Sequence, residues 1–343
     1  MPTEADIISR FKKRSGNATG VVLGIGDDAA VTTLDPQRDL IACCDLMVEG
    51  VHFRKEWTSP RLLGHKALAV TLSDIAAMGA TARYAMLSVA LPRGCSSDFI
   101  DAFVGGIFEI AERHAVSIIG GDTSSSPGPL FIDTSVIGDC AKGRAVTRAG
   151  AGTGAGAGEG GGDLIFVTGE LGGSALGLML LGQGRRLEDP ESDERSEARR
   201  QALLKHLAPE PRLRVGQAIG EGGLATAMID ISDGLSTDLS HILEASSCGA
   251  VLNGDAIPVA ECVKMLASEG SGIDPLRMAL HGAEEYELLF TSRPDDRGRV
   301  AEIARLIGLS ITAIGRTVET EGLQLERRGV TSPLSPSGFQ HLI

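Results

Sequence analysis

Ala85-Met-Leu-Ser-Val-Ala-Leu91, a run of helical spacing over residues 99 to 114, and Val116-Ser-Ile-Ile119 together decide the fold class of this chain. The two short apolar runs read as strands. Between them apolar residues return every three or four positions, as on one face of a helix. The same alternation continues outward. Leu40-Ile-Ala-Cys-Cys44 is strand-like, residues 60 to 79 carry Leu62, Leu63, Ala67, Val70, Ile75 and Met78 at helical spacing, and Phe131-Ile-Asp-Thr-Ser-Val-Ile137 is a further strand. Long helices between separated strands imply an α/β (α+β) protein with mixed sheets and packed helices.

Downstream the mixture repeats: a strand over 163 to 168, helices near 172 to 182 and 211 to 220, a strand over 226 to 231 and a helix over 235 to 247. Two stretches interrupt it. Residues 150 to 162 hold 8 glycines in 13 positions and read as a flexible linker. They contain a G-x-G-x-x-G match at Gly156, Gly158 and Gly161, but it precedes a strand instead of following one, which argues against a dinucleotide loop. Residues 183 to 200 mix acids and arginines around Pro190 and read as a solvated excursion between helices. The expected organisation is a domain over 1–149, a linker over 150–162 and a second domain over 163–343.

The 343 residues carry 45 acidic and 32 basic side chains, a net charge of −13. Nucleic acid and anionic membranes select clustered Lys and Arg, so neither is an expected partner. No apolar run reaches the roughly 18 residues that span a bilayer, and the first residues lack a signal-peptide pattern. The six cysteines form no C-x-x-C pair. These features predict a cytoplasmic protein without structural zinc.

The acidic excess is concentrated. Aspartates recur beside glycine or at the ends of apolar runs: Gly24-Ile-Gly-Asp-Asp28, Cys44-Asp45, Ser73-Asp74, Gly120-Gly-Asp122 and Asp230-Ile-Ser-Asp-Gly234. These windows contain no Lys or Arg to neutralise them. Carboxylates of this kind suit hard divalent ions, and magnesium is commonly shared between one or two carboxylates and substrate phosphates. No G-x-x-x-x-G-K-[ST] loop is present, so a nucleotide would be held by metal and glycine backbone, with Arg148 as a nearby fork for phosphate.

The resemblance then becomes specific. The Gly24 to Val31 segment, Asp45-Leu-Met-Val-Glu-Gly-Val-His-Phe53, Ser73-Asp-Ile-Ala-Ala-Met-Gly-Ala80, Gly120-Gly-Asp-Thr123, Asp230-Ile-Ser-Asp-Gly-Leu235 and Glu284-Glu-Tyr-Glu-Leu288 occur in order. Together they resemble the thiamine-monophosphate kinase family of the aminoimidazole-ribonucleotide-synthetase-like superfamily. The resemblance implies Mg-assisted transfer of the ATP γ-phosphoryl group to thiamine monophosphate, giving thiamine diphosphate. It implies several magnesium ions on Asp28, Asp45, Asp74, Asp122, Asp230 and Asp233, ATP contacts from Gly121, Asp122, Arg148 and Ser232, and thiamine monophosphate contacts from His52, Glu284 and Phe339. It also implies a homodimer formed through the N-terminal domains. No covalent nucleophile is expected, because the attacking phosphate is largely deprotonated at neutral pH.

Three departures stand out. Cys44 precedes Asp45 where Ser or Thr is usual, Ala283-Glu-Glu285 replaces Gly-Glu-Asp, placing a longer carboxylate near the expected substrate, and the glycine-rich stretch is extended. Rival readings are a selenophosphate synthetase, an aminoimidazole-ribonucleotide synthetase, a hydrogenase-maturation dehydratase or a non-catalytic Mg-nucleotide sensor. The chain ends His341-Leu-Ile343 without the cysteine the dehydratase needs, and its first 20 residues lack the cysteine expected of a selenophosphate synthetase.

Overall fold

The computed structural model describes residues 4–15, 19–23, 25, 30–33, 35–153, 162–190, 195–267 and 271–339. It divides into two compact units, one comprising residues 1–75 with 80–143 and the other 76–79 with 144–343.

The first unit runs α1 (Glu4–Ser15), β1 (Val21–Leu23), β2 (Val31–Thr32), β3 (Arg38–Val48), α2 (Pro60–Ala77, whose last residues group with the second unit), β4 (Thr81–Pro92), α3 (Ser97–Arg113), β5 (Ser117–Ser126) and β6 (Phe131–Ala141). Four strands form one sheet in the order β3-β6-β4-β5. β6 pairs antiparallel with both β3 and β4. β4 and β5 are parallel and joined through α3, the crossover that parallel neighbours require.

Local sequence explains each piece. Ser96 Oγ accepts the Phe99 amide at 3.1 Å and starts α3, whose stripe of Ile100, Phe103, Val104, Ile107 and Ile110 is buried. Such side chains each contribute about 1.5–3 kcal/mol. Along β6, Ile132, Thr134 and Val136 are buried while their neighbours are half-exposed, so one sheet face is covered. α2 lies on that face: the Cys43 thiol reaches the Thr71 carbonyl at 3.4 Å, and the Thr71 hydroxyl reaches the Thr134 carbonyl at 3.4 Å. Where α2 and α3 cross, a Cβ on Gly64 would collide with the Phe103 carbonyl, and one on Gly106 with the Arg61 carbonyl. Glycine at both positions lets the two backbones touch.

The second unit runs β7 (Leu164–Thr168), α4 (Gly173–Gly182), α5 (Ser196–Leu207), α6 (Leu213–Glu221), β8 (Ala227–Asp230), α7 (Leu235–Ser246), β9 (Gly249–Asn253), α8 (Glu261–Leu266), α9 (Pro275–His281), β10 (Leu288–Ser292), α10 (Arg297–Ile307), β11 (Ile311–Val318), β12 (Gly322–Arg327) and β13 (Val330–Pro333). Its seven-stranded sheet has the order β13-β12-β9-β11-β7-β10-β8. All neighbours are antiparallel except β12 and β9. One face contributes Ile165, Val167, Ile229 and Leu289 to a core shared with Leu235, Leu239 and Ile242 of α7. The alternate residues Phe166 and Phe290 stack at 5.2 Å on the other face. Burial on both faces is why these strands read as continuous apolar runs.

The described part of the glycine-rich stretch departs from the expected flexible linker. Gly150 and Ala151 donate their amides to Ser246 Oγ at 3.2 Å, Gly152 donates to Asp163 Oδ2 at 2.7 Å, and the Gly152 carbonyl accepts the Asp163 amide at 3.0 Å. Residues 150–153 and 162 are therefore held within the second unit and do not link the two units; residues 154–161 lie outside the described residues. The excursion at 183–200 also ends earlier than expected, because α5 begins at Ser196. Among the described residues no helix is long and apolar enough to cross a membrane.

Candidate active site

In the first unit three of the motif carboxylates stand inside regular elements. Asp45 stands within β3, Asp74 within α2 and Asp122 within β5. Asp28 lies outside the described residues. Asp45 and Asp74 both lie close enough to Cys43 that their charges, after burial, push its thiol pKa up. The Asp45 carboxyl is itself pushed up: burial dominates, the Thr71 side chain opposes it, and the Asp133 charge adds to it. Asp45 Oδ2 is buried and meets no hydrogen-bond partner among the described residues. A buried, unsatisfied carboxylate oxygen is costly. A hard cation there would satisfy it, so the donor set fits a divalent ion such as magnesium.

Asp122 stands apart from this pair. The sheet register places it opposite Ser88, which faces Asp133, three strands across from β3. It is exposed, and its Oδ1 accepts the Thr123 amide at 2.9 Å. Gly121, with φ +150°, has a packing reason to be glycine: a Cβ would collide with the Leu87 carbonyl. Cys44 is exposed on the opposite face of β3 from Asp45, so the departure there changes the outer sheet face.

His52 follows β3 in a tight loop. The Gly50 amide reaches the Phe53 carbonyl at 2.7 Å, and the Val48 amide donates to His52 Nδ1 at 2.9 Å. Nδ1 is therefore the acceptor, and in the neutral ring the proton resides on Nε2. Glu49 braces the loop by accepting the Leu130 amide at 2.9 Å and pairing with Lys55 at 3.0 Å.

The second unit draws three separated segments together. β8 ends at the buried Asp230, and its ladder with β10 continues into the loops: Ile231 donates to the Glu287 carbonyl at 2.8 Å, Tyr286 to Ile231 at 2.9 Å and Glu284 to Ser232 at 2.7 Å. Glu284 and Tyr286 hold left-handed backbone, with φ +59° and +52°. Two non-glycine residues so constrained mark a loop shaped by its surroundings. The C-terminal segment closes over the same place. Phe339 donates its amide to the Asp233 carbonyl at 3.0 Å, and Gly338 approaches that carbonyl so closely that a Cβ would collide. The structure thus brings Asp230, Ser232, Asp233, Glu284 and Phe339 into one loop cluster. Phe339 is 46% exposed, a ring presented at the surface of the cluster. Arg148 is exposed, its carbonyl held by Ser246 Oγ at 3.3 Å.

Asp238 and His241 were not singled out from sequence. Asp238 Oδ2 accepts the Asp233 and Gly234 amides at 3.1 and 2.9 Å, bracing the aspartate loop. Burial, with the charges of Asp230 and Asp233, pushes its carboxyl up to about 8. Ligand atoms of Asp233, Asp238 and His241 lie within 4.8 Å of one another. Glu285, expected near the substrate, turns inward instead. It is buried and accepts the Gly172 and Ser174 amides at 2.9 and 3.1 Å, capping α4, and burial pushes it up to about 8. Glu287 holds Arg212 in a two-pronged pair and Thr168 at 2.6 Å. The i, i+3 spacing of Asp238 and His241 on α7 was the one available signal for that pair.

Comparison with known proteins places this geometry. Residues 26–140 match the AIR synthase related protein N-terminal domain, and residues 160–328 match the corresponding C-terminal domain. The chain is 36% identical to the thiamine-monophosphate kinase of Salmonella typhimurium over 340 residues, 98% of each chain, and 34% identical to that of Bacillus subtilis over 98% of this chain and 99% of the other. The thiamine-monophosphate kinase structure from Stenotrophomonas maltophilia superposes with a TM-score of 0.83 at 34% identity, covering 93% of this chain and 95% of that one. AaThiL complexed with AMPPCP and TMP superposes with a TM-score of 0.76 at 29% identity, covering 100% and 99%. E. coli HypE, a hydrogenase maturation protein, shares the fold with a TM-score of 0.71 at 23% identity, covering 96% and 95%, so fold alone does not decide among the rival readings. Identity above one third along nearly the whole of both sequences does decide: the chain belongs to the thiamine-monophosphate kinase family.

Proposed function

We propose that the chain transfers the γ-phosphoryl group of ATP directly to the phosphate of thiamine monophosphate, with no phosphoenzyme, releasing ADP and thiamine diphosphate. Family membership carries the reaction. The observation that carries its location is the interlocked loop cluster of the second unit, which gathers five of the expected site residues from separate segments between Asp230 and Phe339. A relative of the same fold holds AMPPCP and TMP together.

The reaction brings two anions together, and the chain's carboxylates suit that problem only with cations between them. Asp45 and Asp74 in the first unit, and Asp230 and Asp233 in the second, would hold magnesium, with Asp28 and Asp122 completing the proposed set. When bound, magnesium neutralises charge on the transferring phosphates. The chain's own residues supply the rest. Ser232 and Arg148 are proposed to contact ATP, with Gly121 and Asp122. His52 presents a neutral ring that donates from Nε2, suited to a phosphate oxygen. Glu284 offers a carboxylate to the cationic thiamine moiety, and Phe339 an aromatic face. No general base is required, since the acceptor phosphate has a second pKa of about 6.

A homodimer and a cytoplasmic location belong to the same proposal. The outer face of the four-stranded sheet exposes Leu40 and Leu46, 55% and 54% accessible, in a row that a second copy would cover. Direct transfer is tested with a γ-phosphoryl group made chiral by oxygen isotopes. Inversion at phosphorus in the thiamine diphosphate supports the proposal; retention contradicts it.

A further inference from the structure

Glu284 meets a partner that sequence reading passed over. His206, at the end of α5, is 3% exposed, and its Nδ1 lies 3.2 Å from Glu284 Oε2 and 3.1 Å from Ser174 Oγ. A carboxylate oxygen only accepts hydrogen bonds, so Nδ1 carries the proton and shares it between the two oxygens. Ser174 is itself fully buried in the first turn of α4, its amide held by Glu285. The approach of the two helices is built for this contact: a Cβ on Gly177 of α4 would collide with the Ala202 carbonyl of α5 and lie 3.0 Å from His206 Cβ. Glycine at that point seats the imidazole against Ser174.

We propose that His206 is a positioning residue for Glu284, fixing its carboxylate in the direction that receives the cationic organic part of the substrate. The inference rests on Glu284 as the thiamine-facing residue. The backbone of Glu284 is already fixed by its left-handed φ and its bond to Ser232. Its side chain is 23% exposed, and without His206 it would sample several rotamers. Holding one of them before the substrate arrives removes an ordering cost from binding.

Two measurements test this. Titration of thiamine monophosphate into His206→Leu gives a dissociation constant about tenfold weaker, with KM for ATP and kcat within about twofold of the parent. His206→Asn, whose amide nitrogen falls near the Nδ1 position, restores affinity to within about threefold. Unchanged affinity in His206→Leu, equal loss for both substrates, or an Asn variant as impaired as Leu overturns the proposal. Without substrate, long-range nitrogen–proton spectra of histidine-labelled enzyme show His206 protonated at Nδ1, with a resonance that shifts in Glu284→Gln. An Nε2–H ring or no shift overturns the pairing. A parent enzyme that shows this pairing yet binds no thiamine monophosphate overturns the substrate reading of Glu284 instead.

Discussion

The backbone amide of Glu284 donates to the carbonyl of Ser232 at 2.7 Å. That single bond ties the loop carrying a proposed substrate residue to the loop carrying a proposed nucleotide residue, although 52 positions separate them in sequence. The left-handed φ of Glu284 is the conformational cost of this arrangement, about 1–2 kcal/mol for a non-glycine residue. The bond fixes the backbone of Glu284 against the aspartate loop.

Replacing Glu284 by Gln keeps the shape and the backbone while removing the charge. Affinity for thiamine monophosphate is expected to fall about tenfold, the worth of a charge-assisted contact. The melting temperature stays within about 2 °C, because the side chain is partly exposed. Unchanged affinity in titration calorimetry would remove Glu284 from the substrate set.

Asp45→Asn tests the first unit's carboxylates. Because the folded pKa of Asp45 is raised, its stabilisation is present below the ordinary carboxylate range and lost as pH rises through the raised value. At neutral pH without metal the charge is a burden on the fold, so Asn is expected to melt at the same or a higher temperature in EDTA. Turnover falls about a hundredfold or more, and the rise in melting temperature that magnesium gives the parent shrinks. Near-normal turnover would exclude Asp45 from metal binding.

Glu285 carries a pH signature of its own. Its pKa moves from 4.5 to about 8, chiefly through burial, so the folded state holds the proton more tightly than the unfolded chain. Stability is expected to decline as pH rises between those two values. Glu285→Gln keeps the acceptor for the Gly172 and Ser174 amides and flattens that decline. Melting curves in EDTA from pH 5 to 9 that run parallel for parent and variant would refute this role.

The exposed row on the first unit's sheet predicts association. Leu46→Glu places a charge in that row and is expected to convert a dimer to a monomer in sedimentation velocity, with circular dichroism unchanged. A variant that sediments like the parent, or a parent that is monomeric, would exclude this face as the interface.

Sequence reading and structure agree most closely where one element supplies its own signal. The helical spacing over 60 to 79 and 99 to 114 became α2 and α3, and Ala85 to Leu91 lies within β4; α3 buries one stripe and β4 one face, whereas α2 is buried on all sides, Lys66 to Ser73 in succession. β5 was less legible. Its Gly-Gly-Asp-Thr-Ser composition reads as a turn, yet pairing with β4 holds it extended through Ser126. The start of α5 was hidden by its charges, since only Ala198, Ala202 and Leu203 of its early turns face inward. His206 carries no local pattern, Asp238 only its i, i+3 spacing with His241, and the inward role of Glu285 is not visible in the motif that contains it. Their roles arise from contacts 32 or more residues away for His206 and Glu285, and from a reach back to the preceding loop for Asp238. Such roles follow from tertiary placement and not from spacing.

The most direct test is a stoichiometric product assay. Enzyme given Mg-ATP and thiamine monophosphate is expected to form ADP and thiamine diphosphate in equal amounts, and to form no phosphorylated product when free thiamine replaces the monophosphate. ADP without thiamine diphosphate, phosphorylation of free thiamine, or tight ATP binding without turnover would contradict the account.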